Sequence, residues 1–330
     1  MNNKASHLFA KLCHEPGYIS RLKQEYEKLM EEAAYIESHD ELQMLIPDVC
    51  RSSVKAGGYY GQYQFINTCV LDSFLVVLLN CYIQNYLIVQ IFRSDRTIIA
   101  VMTFLCTGQY NKAKALWLIQ LNLLSDSCRF NMVDEVNVWS EVGDHLPIFN
   151  DLVCANYHFD EDRLSPQIFD ELHQSTISEL ECLGDVKLLG LNYVDPCCAL
   201  VNVDGRKDTA PPLSITDKYD RTFELQFLLL CKKNESVNHM VGCFQLEGRW
   251  YLYDNNPEKP PFVVFPIEHA DFTNEYVIYL AGYVNITKHE YVNEEVPFGV
   301  PEEGSSVPGT RPFNSPIRRV HQVPMRVKND

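Results

Sequence analysis

One cysteine of the twelve in this chain, Cys69, stands where a thiol could do chemistry. It closes a Gly-, Tyr- and Gln-rich stretch and opens an apolar run, so a loop ends and a helix is expected to begin almost at the sulfur. The unpaired N–H groups and positive end of such a helix favour a thiolate. Far downstream, His239 begins an alternating stretch, Gly248 permits a hairpin return, and the partner strand delivers Asp254 at its end. Two adjacent antiparallel strands bring such ends together. A carboxylate there can accept the imidazole N–H, fix its tautomer and turn the other ring nitrogen toward a thiol. The result is a Cys–His–Asp constellation in that chain order.

Two lobes are needed to hold it. Residues 17–38 have helical spacing, with Ile19, Leu22, Tyr26, Leu29, Met30, Ala33 and Ile36 on one face. The run from Phe74 to Phe92 is the most apolar of the chain, but its Asn80, Gln84, Asn85 and Gln90 favour a buried central helix over a membrane span. Two more helices are expected over residues 97–127, broken near Gly108, and a further helical layer over residues 134–149 and 166–183. After Gly184 the pattern changes to short strands: residues 186–191, 199–203, 222–231, 240–246, 250–253, 262–266 and 275–284. Helices first and strands afterwards predict an α+β fold, a helical lobe against a mainly antiparallel sheet with a groove between them. The expected organisation is a helical extension over residues 1–56, a catalytic domain over residues 57–295 divided near residue 185, and a Pro-rich, basic, disordered tail over residues 296–330.

Composition narrows the function. The net charge of −16 argues against nucleic acid as a partner, because phosphate binding needs a basic face. No C-x-x-C pair occurs, so no zinc ribbon, and no metal or cofactor, is expected. His145, His158 and His173 lack a compact metal-ligand spacing and are read as surface helix residues. The first residues have no sustained apolar core of a secretory signal, so the cysteines are expected to be reduced thiols of an intracellular protein, cytoplasmic or nuclear, not bound to a membrane.

The two boxes also resemble a family. The segment Asn67-Thr68-Cys69-x-x-Asp72-Ser73 is similar to the cysteine box of ubiquitin-specific proteases, members of the papain-like cysteine peptidase superfamily. His239, the alternating strand, Trp250 and Asp254 resemble their histidine box. The resemblance spans about residues 64–283 and implies a papain-like fold of thumb and palm. The missing C-x-x-C pairs point to a fingerless member, and Leu71-Asp72 resembles the SUMO-directed branch. Three positions depart from the family pattern: Asn238 replaces a Gly, Asp72 an Asn, and Gln64 the Asn that serves the oxyanion hole.

By this resemblance the substrate is a protein carrying ubiquitin or a ubiquitin-like modifier, cleaved by Cys69 with His239 and Asp254. Gln64 would serve the oxyanion, with Asn67 and Asn255 as supports. The Tyr59, Tyr60 and Tyr63 cluster is a candidate lining for a narrow peptide channel. The same triad also suits a Cys-dependent acyltransferase or a polyprotein-processing protease, and the same fold a non-catalytic modifier-binding pseudoenzyme.

Overall fold

The computed structural model describes residues 16–39, 54–124, 129–130, 133–157, 184–191, 196–205, 210–216, 221–233, 239–267 and 272–286. The expected tail and the expected helix over residues 166–183 lie outside them.

Helical spacing at the N-terminus produces α1 (Pro16–His39), whose Leu22, Leu29 and Ala33 are buried. Next comes a tight hairpin, β1 (Gly58–Tyr60) and β2 (Tyr63–Ile66), in place of a plain loop. Cys69 is the first residue of α2 (Cys69–Gln84), buried on all sides from Val70 to Tyr82. The long apolar run is not one helix. It breaks at Asn85, whose backbone is extended, and continues as α3 (Tyr86–Ser94) at 115° to α2. The polar side chains there explain the break. The Asn85 amide donates to the Cys81 carbonyl at 3.3 Å, and the Gln84 amide donates to the carbonyls of Asn80 (3.2 Å) and Gln245 (2.7 Å). These local bonds compete with helix continuation. No single helix among the described residues is long and apolar enough to cross a membrane.

Helices α4 (Arg96–Cys106) and α5 (Tyr110–Gln120) follow, separated at Gly108 as expected, and Asp95 caps α4 through the N–H groups of Thr97 and Ile98. The N-terminal helix belongs to this layer. The Tyr26 and Thr97 hydroxyls lie 2.7 Å apart, and Thr103 donates to Glu37 at 2.8 Å.

Residues 134–149 correct the expectation of a helix. They hold β4 (Val133–Asn137), preceded by β3 (Arg129–Phe130), and two 3₁₀ turns, Val142–Asp144 and Leu146–Leu152. Strand β4 runs parallel to β2, so backbone pairing overrides helical spacing there. The remaining strands are β5 (Val153–Tyr157), β6 (Asp185–Leu189), β7 (Cys198–Asn202), β8 (Ser214–Thr216), β9 (Thr222–Lys232), β10 (Met240–Leu246), β11 (Arg249–Tyr253), β12 (Phe262–Val264) and, after the short α6 (Phe272–Glu275), β13 (Tyr276–Asn285). The large sheet is antiparallel, in the order β12-β11-β10-β9-β13-β7-β6-β5, with β8 on the start of β9. The α+β class and the helical lobe against an antiparallel sheet are as expected.

Alternation within β9 feeds two cores. Phe227 and Leu229 join the helical layer, while Leu228 and Leu230 pack into a second cluster on the other face. Helix α2 lies across β9 and β10. Gly242 allows this approach: a Cβ there would meet Val77 Cγ1 at 2.9 Å and the Ser73 carbonyl at 3.2 Å. Because α2 carries Cys69 and β10 follows His239, this contact sets the gap between thiol and imidazole. Gly242→Ala is expected to lower stability by about 1–3 kcal/mol through overpacking. Urea denaturation would measure it, and a variant of unchanged stability would show that the helix shifts freely.

Candidate active site

The chain reaches Cys69 through a left-handed residue. Asn67 has φ 56°, which turns the strand β2 into the start of α2. Thr68 occupies the N-cap position, and its carbonyl accepts the Asp72 N–H at 2.8 Å. Its hydroxyl does not cap the helix. It accepts the Gly57 N–H at 2.8 Å and donates to Asp72 Oδ2 at 2.6 Å. The first turn, beginning with the Cys69 N–H, therefore has no side-chain cap.

Beneath this turn lies an ion pair that the spacing of residues did not announce. Lys114 Nζ is 2.7 Å from Asp72 Oδ1, and both side chains are wholly buried. Lys114 also donates to the carbonyls of Lys55 and Gly57, each at 2.6 Å. Asn255 Nδ2 donates to Asp72 Oδ2 at 2.8 Å. Burial pushes the Asp72 carboxyl up, and Lys114, Thr68 and Asn255 oppose that push. The carboxylate beside the helix start is thus matched by a cation. Asn255, expected to support the histidine or the oxyanion, instead fastens the turn after β11 to α2. A lysine among Ala113, Ala115 and Trp117 was the available signal, since the charge sits on an apolar stretch.

Across the gap, His239 Nε2 lies 2.7 Å from Asp254 Oδ1. With Nε2 engaged, Nδ1 is the ring nitrogen left for Cys69, which lies near enough to help raise the imidazole pKa. Asp254 is buried and crowded with donors. Oδ1 also accepts the Asn256 N–H at 3.0 Å, and Oδ2 accepts Lys232 Nζ at 2.9 Å, with Lys259 at 3.7 Å. Burial works to raise its pKa, but the bonds from His239, Lys232 and Asn256 hold it well below the usual carboxylate range. His239 is pushed up to about 9, first by its bond to Asp254 and then by Cys69, against a lowering by burial.

Exposure separates the cysteines. Eight lie among the described residues, none of them in a disulfide, and seven are buried; Cys69 is not. Burial pushes the thiol of Cys81 up, away from reactivity. Cys69 opens into a cleft of about 260 Å³ whose walls include Asn67, Trp139, Ser140, Met240 and Tyr279.

The other expected residues fall differently. Gln64 is half-buried on β2, opposite Tyr59 and beside Glu135, and is not part of the cleft wall; Asn67 is. The three tyrosines do not line the cleft. Tyr59 is exposed, Tyr60 donates to Glu25 of α1 at 2.8 Å, and Tyr63 is buried in the core. His145 is no surface residue. It is wholly buried, accepts Trp117 Nε1–H on Nδ1 at 2.9 Å, and lies 2.7 Å from Ser140 through Nε2. His158 and His173 lie outside the described residues, as does Asn238. No group of three or more His, Cys, Asp or Glu that could hold a metal occurs among the described residues.

No family model matches the chain, and no curated protein matches it. Among solved structures, it is similar to a chain of the SAGA DUB module of Ubp8, Sgf11, Sus1 and Sgf73, in a form with shortened Sgf11. That likeness has 12% identity, a TM-score of 0.40, and coverage of 75% of this chain and 74% of that one. A second structure of the module gives 10% identity, a TM-score of 0.38 and coverage of 75% and 74%. A third gives 11%, 0.33, and coverage of 74% and 73%.

Two outcomes are expected of the site. Lys114→Met leaves a buried, unpaired carboxylate and is expected to cost about 3–5 kcal/mol in urea denaturation, part of which Asp72→Asn in the same chain restores. The His239 ring is expected to lose its proton near pH 9 in an NMR titration, and Asp254→Asn to move that midpoint down toward 6.5. Because the folded value is the raised one, the stabilisation is present below about pH 6.5 and disappears as pH climbs through 9. A wild-type midpoint near 6.5 would contradict the coupling of His239 to Asp254 and Cys69.

Proposed function

We propose that this chain is a cysteine-type isopeptidase that removes ubiquitin or a ubiquitin-like modifier from proteins, with Cys69 as nucleophile, His239 as acid and base, and Asp254 orienting the ring. One observation carries the reading: a buried carboxylate holds His239 at 2.7 Å, and the cysteine at the start of α2, which is not buried, acts on that same imidazole. The similarity of the cysteine and histidine boxes to those of ubiquitin-specific proteases supports the choice of substrate.

In the proposed reaction the Cys69 sulfur attacks the carbonyl of the modifier's terminal residue, where that residue is joined to a lysine amine. The tetrahedral oxyanion is received by the uncapped Cys69 N–H and by an amide of the neighbouring loop. Asn67, on the cleft wall, is the better placed donor for that second bond than Gln64. The protonated His239 gives its proton to the departing amine, and the thioester forms. The neutral ring then draws a proton from water, the hydroxide attacks the thioester carbonyl, and the thiol is released. Asp254 holds the ring through both steps; Lys232 on its second oxygen fixes the carboxylate in turn. The small cleft suits an extended tail with small side chains better than a bulky one. Reduced thiols fit a reducing, intracellular compartment.

The test uses ubiquitin and SUMO bearing C-terminal electrophiles. A covalent adduct is expected with one of them, lost in Cys69→Ala. His239→Ala is expected to retain the fold and to lose turnover of the corresponding fluorogenic substrate by a factor of about 10² or more. Folded wild-type protein whose Cys69 alkylates with iodoacetamide, yet which forms no adduct with either modifier, sinks the reading and leaves a binding module or another acyl substrate.

A further inference from the structure

The segment between β4 and the first 3₁₀ turn forms one wall of the cleft, and its most prominent side chain is Trp139. The chain has three tryptophans. Trp117 is 0% exposed and Trp250 7%, whereas Trp139 is 52% exposed. A large apolar side chain left in water beside a reactive thiol calls for a physical reason.

The surrounding residues are held in place from two sides. On one side, Asn137 Oδ1 accepts both the Trp139 N–H and the Asn67 amide, each at 3.0 Å. Asn67 is the left-handed residue that leads into Cys69, so the backbone of Trp139 is referenced directly to the nucleophile. On the other side, the Trp117 N–H occupies Nδ1 of buried His145. That leaves the imidazole proton on Nε2, to be donated to the Ser140 hydroxyl, which donates in turn to the Val138 carbonyl at 3.1 Å. Burial holds His145 down to about 4, so this tautomer persists at neutral pH. Val138 and Val142 are buried on either side, and Glu141 N–H is taken by Asp144 at 2.9 Å. The backbone around Trp139 is thus held in place, while Trp139 itself is half exposed and lines the cleft.

We propose that Trp139 is a specificity-determining residue whose indole packs along the extended peptide that carries the scissile carbonyl to Cys69, facing Met240 and Tyr279 on the sheet side of the cleft. The inference rests on the isopeptidase reading and adds to it the side chain that grips the substrate. Tryptophan suits the task, because it offers a large rigid contact with few rotamers to freeze. Asn137, Ser140 and His145 are then positioning residues that keep the indole in register with the thiol.

The difference in exposure supplies a direct readout. In the Cys69→Ala protein, acrylamide quenching of tryptophan fluorescence should come mainly from Trp139 and disappear in Trp139→Phe. Saturating ubiquitin or SUMO, whichever labels wild-type Cys69, should shield it. With the fluorogenic derivative of that modifier, Trp139→Ala is expected to raise KM by about tenfold or more with kcat changed less than about threefold, and Trp139→Phe to recover part of the loss. Iodoacetamide should still alkylate Cys69 in Trp139→Ala at close to the wild-type rate. If the modifier binds without reducing quenching, or if Trp139→Ala keeps its KM, the inference fails while the isopeptidase stands. If neither modifier labels wild-type Cys69, the isopeptidase reading falls and takes this inference with it.

Discussion

The buried contact between Lys114 and Asp72 is the constraint on which the rest of the site depends. A lysine and an aspartate with no exposed surface are tolerable only when every donor and acceptor is used. Here the ammonium reaches one carboxylate oxygen and two carbonyls of the segment before β1. The carboxylate reaches Thr68 and Asn255 as well. One pair therefore joins the approach to the hairpin, the start of α2, the middle of α5 and the turn after β11. Those are the segments that deliver Cys69 from one lobe and Asp254 from the other. Asp72 also sits where a negative charge would disfavour a thiolate at the same helix end; with Lys114 beside it, that charge is balanced.

The two lobes share a second constraint, the closeness of α2 to the sheet. Ser73 donates to the Met240 carbonyl at 3.3 Å, and Gly242 leaves room for Val77. Met240 immediately follows His239. The imidazole is thereby placed by strand pairing along β9 and β10 and by helix packing from above, and Asp254 by the register of β10 with β11. None of these placements relies on a flexible side chain reaching across a gap, which keeps the arrangement preorganised.

Much of this was legible in the sequence, and the reasons differ by region. Strands β6, β7 and β9 to β13 announce themselves by alternation and by turn residues such as Gly248, both local signals, whereas the short β8 does not. The link from His239 to Asp254 was readable because a hairpin makes distant partners predictable. The break at Asn85 was harder, since an apolar run long enough for one helix also suits two, and only the side-chain bonds of Gln84 and Asn85 decide. The wall from Asn137 to Val142 was misread as helix because β4 pairs with β2, a partner about seventy positions away that no local pattern reveals. That error hid Trp139, Ser140 and His145 together. Lys114 was hidden for a similar reason: its partner is set by helix packing, which spacing within α5 cannot show.

The position of β13 bears on how the molecule comes into being. It is the last described strand in the chain, yet it lies in the interior of the sheet, between β9 and β7. On a ribosome making the chain from its N-terminus, β7, β6 and β5 have no bridge to β9 and β10 until residues 276–285 emerge. The nascent protein therefore holds two partial sheets with facing open edges, the kind of surface on which strands from other chains pair and chaperones act. It also means that the sheet behind Cys69 and His239 becomes continuous only once residues 276–285 have been made. A site built in this order is framed by an incomplete sheet while most of the strands around it are being made.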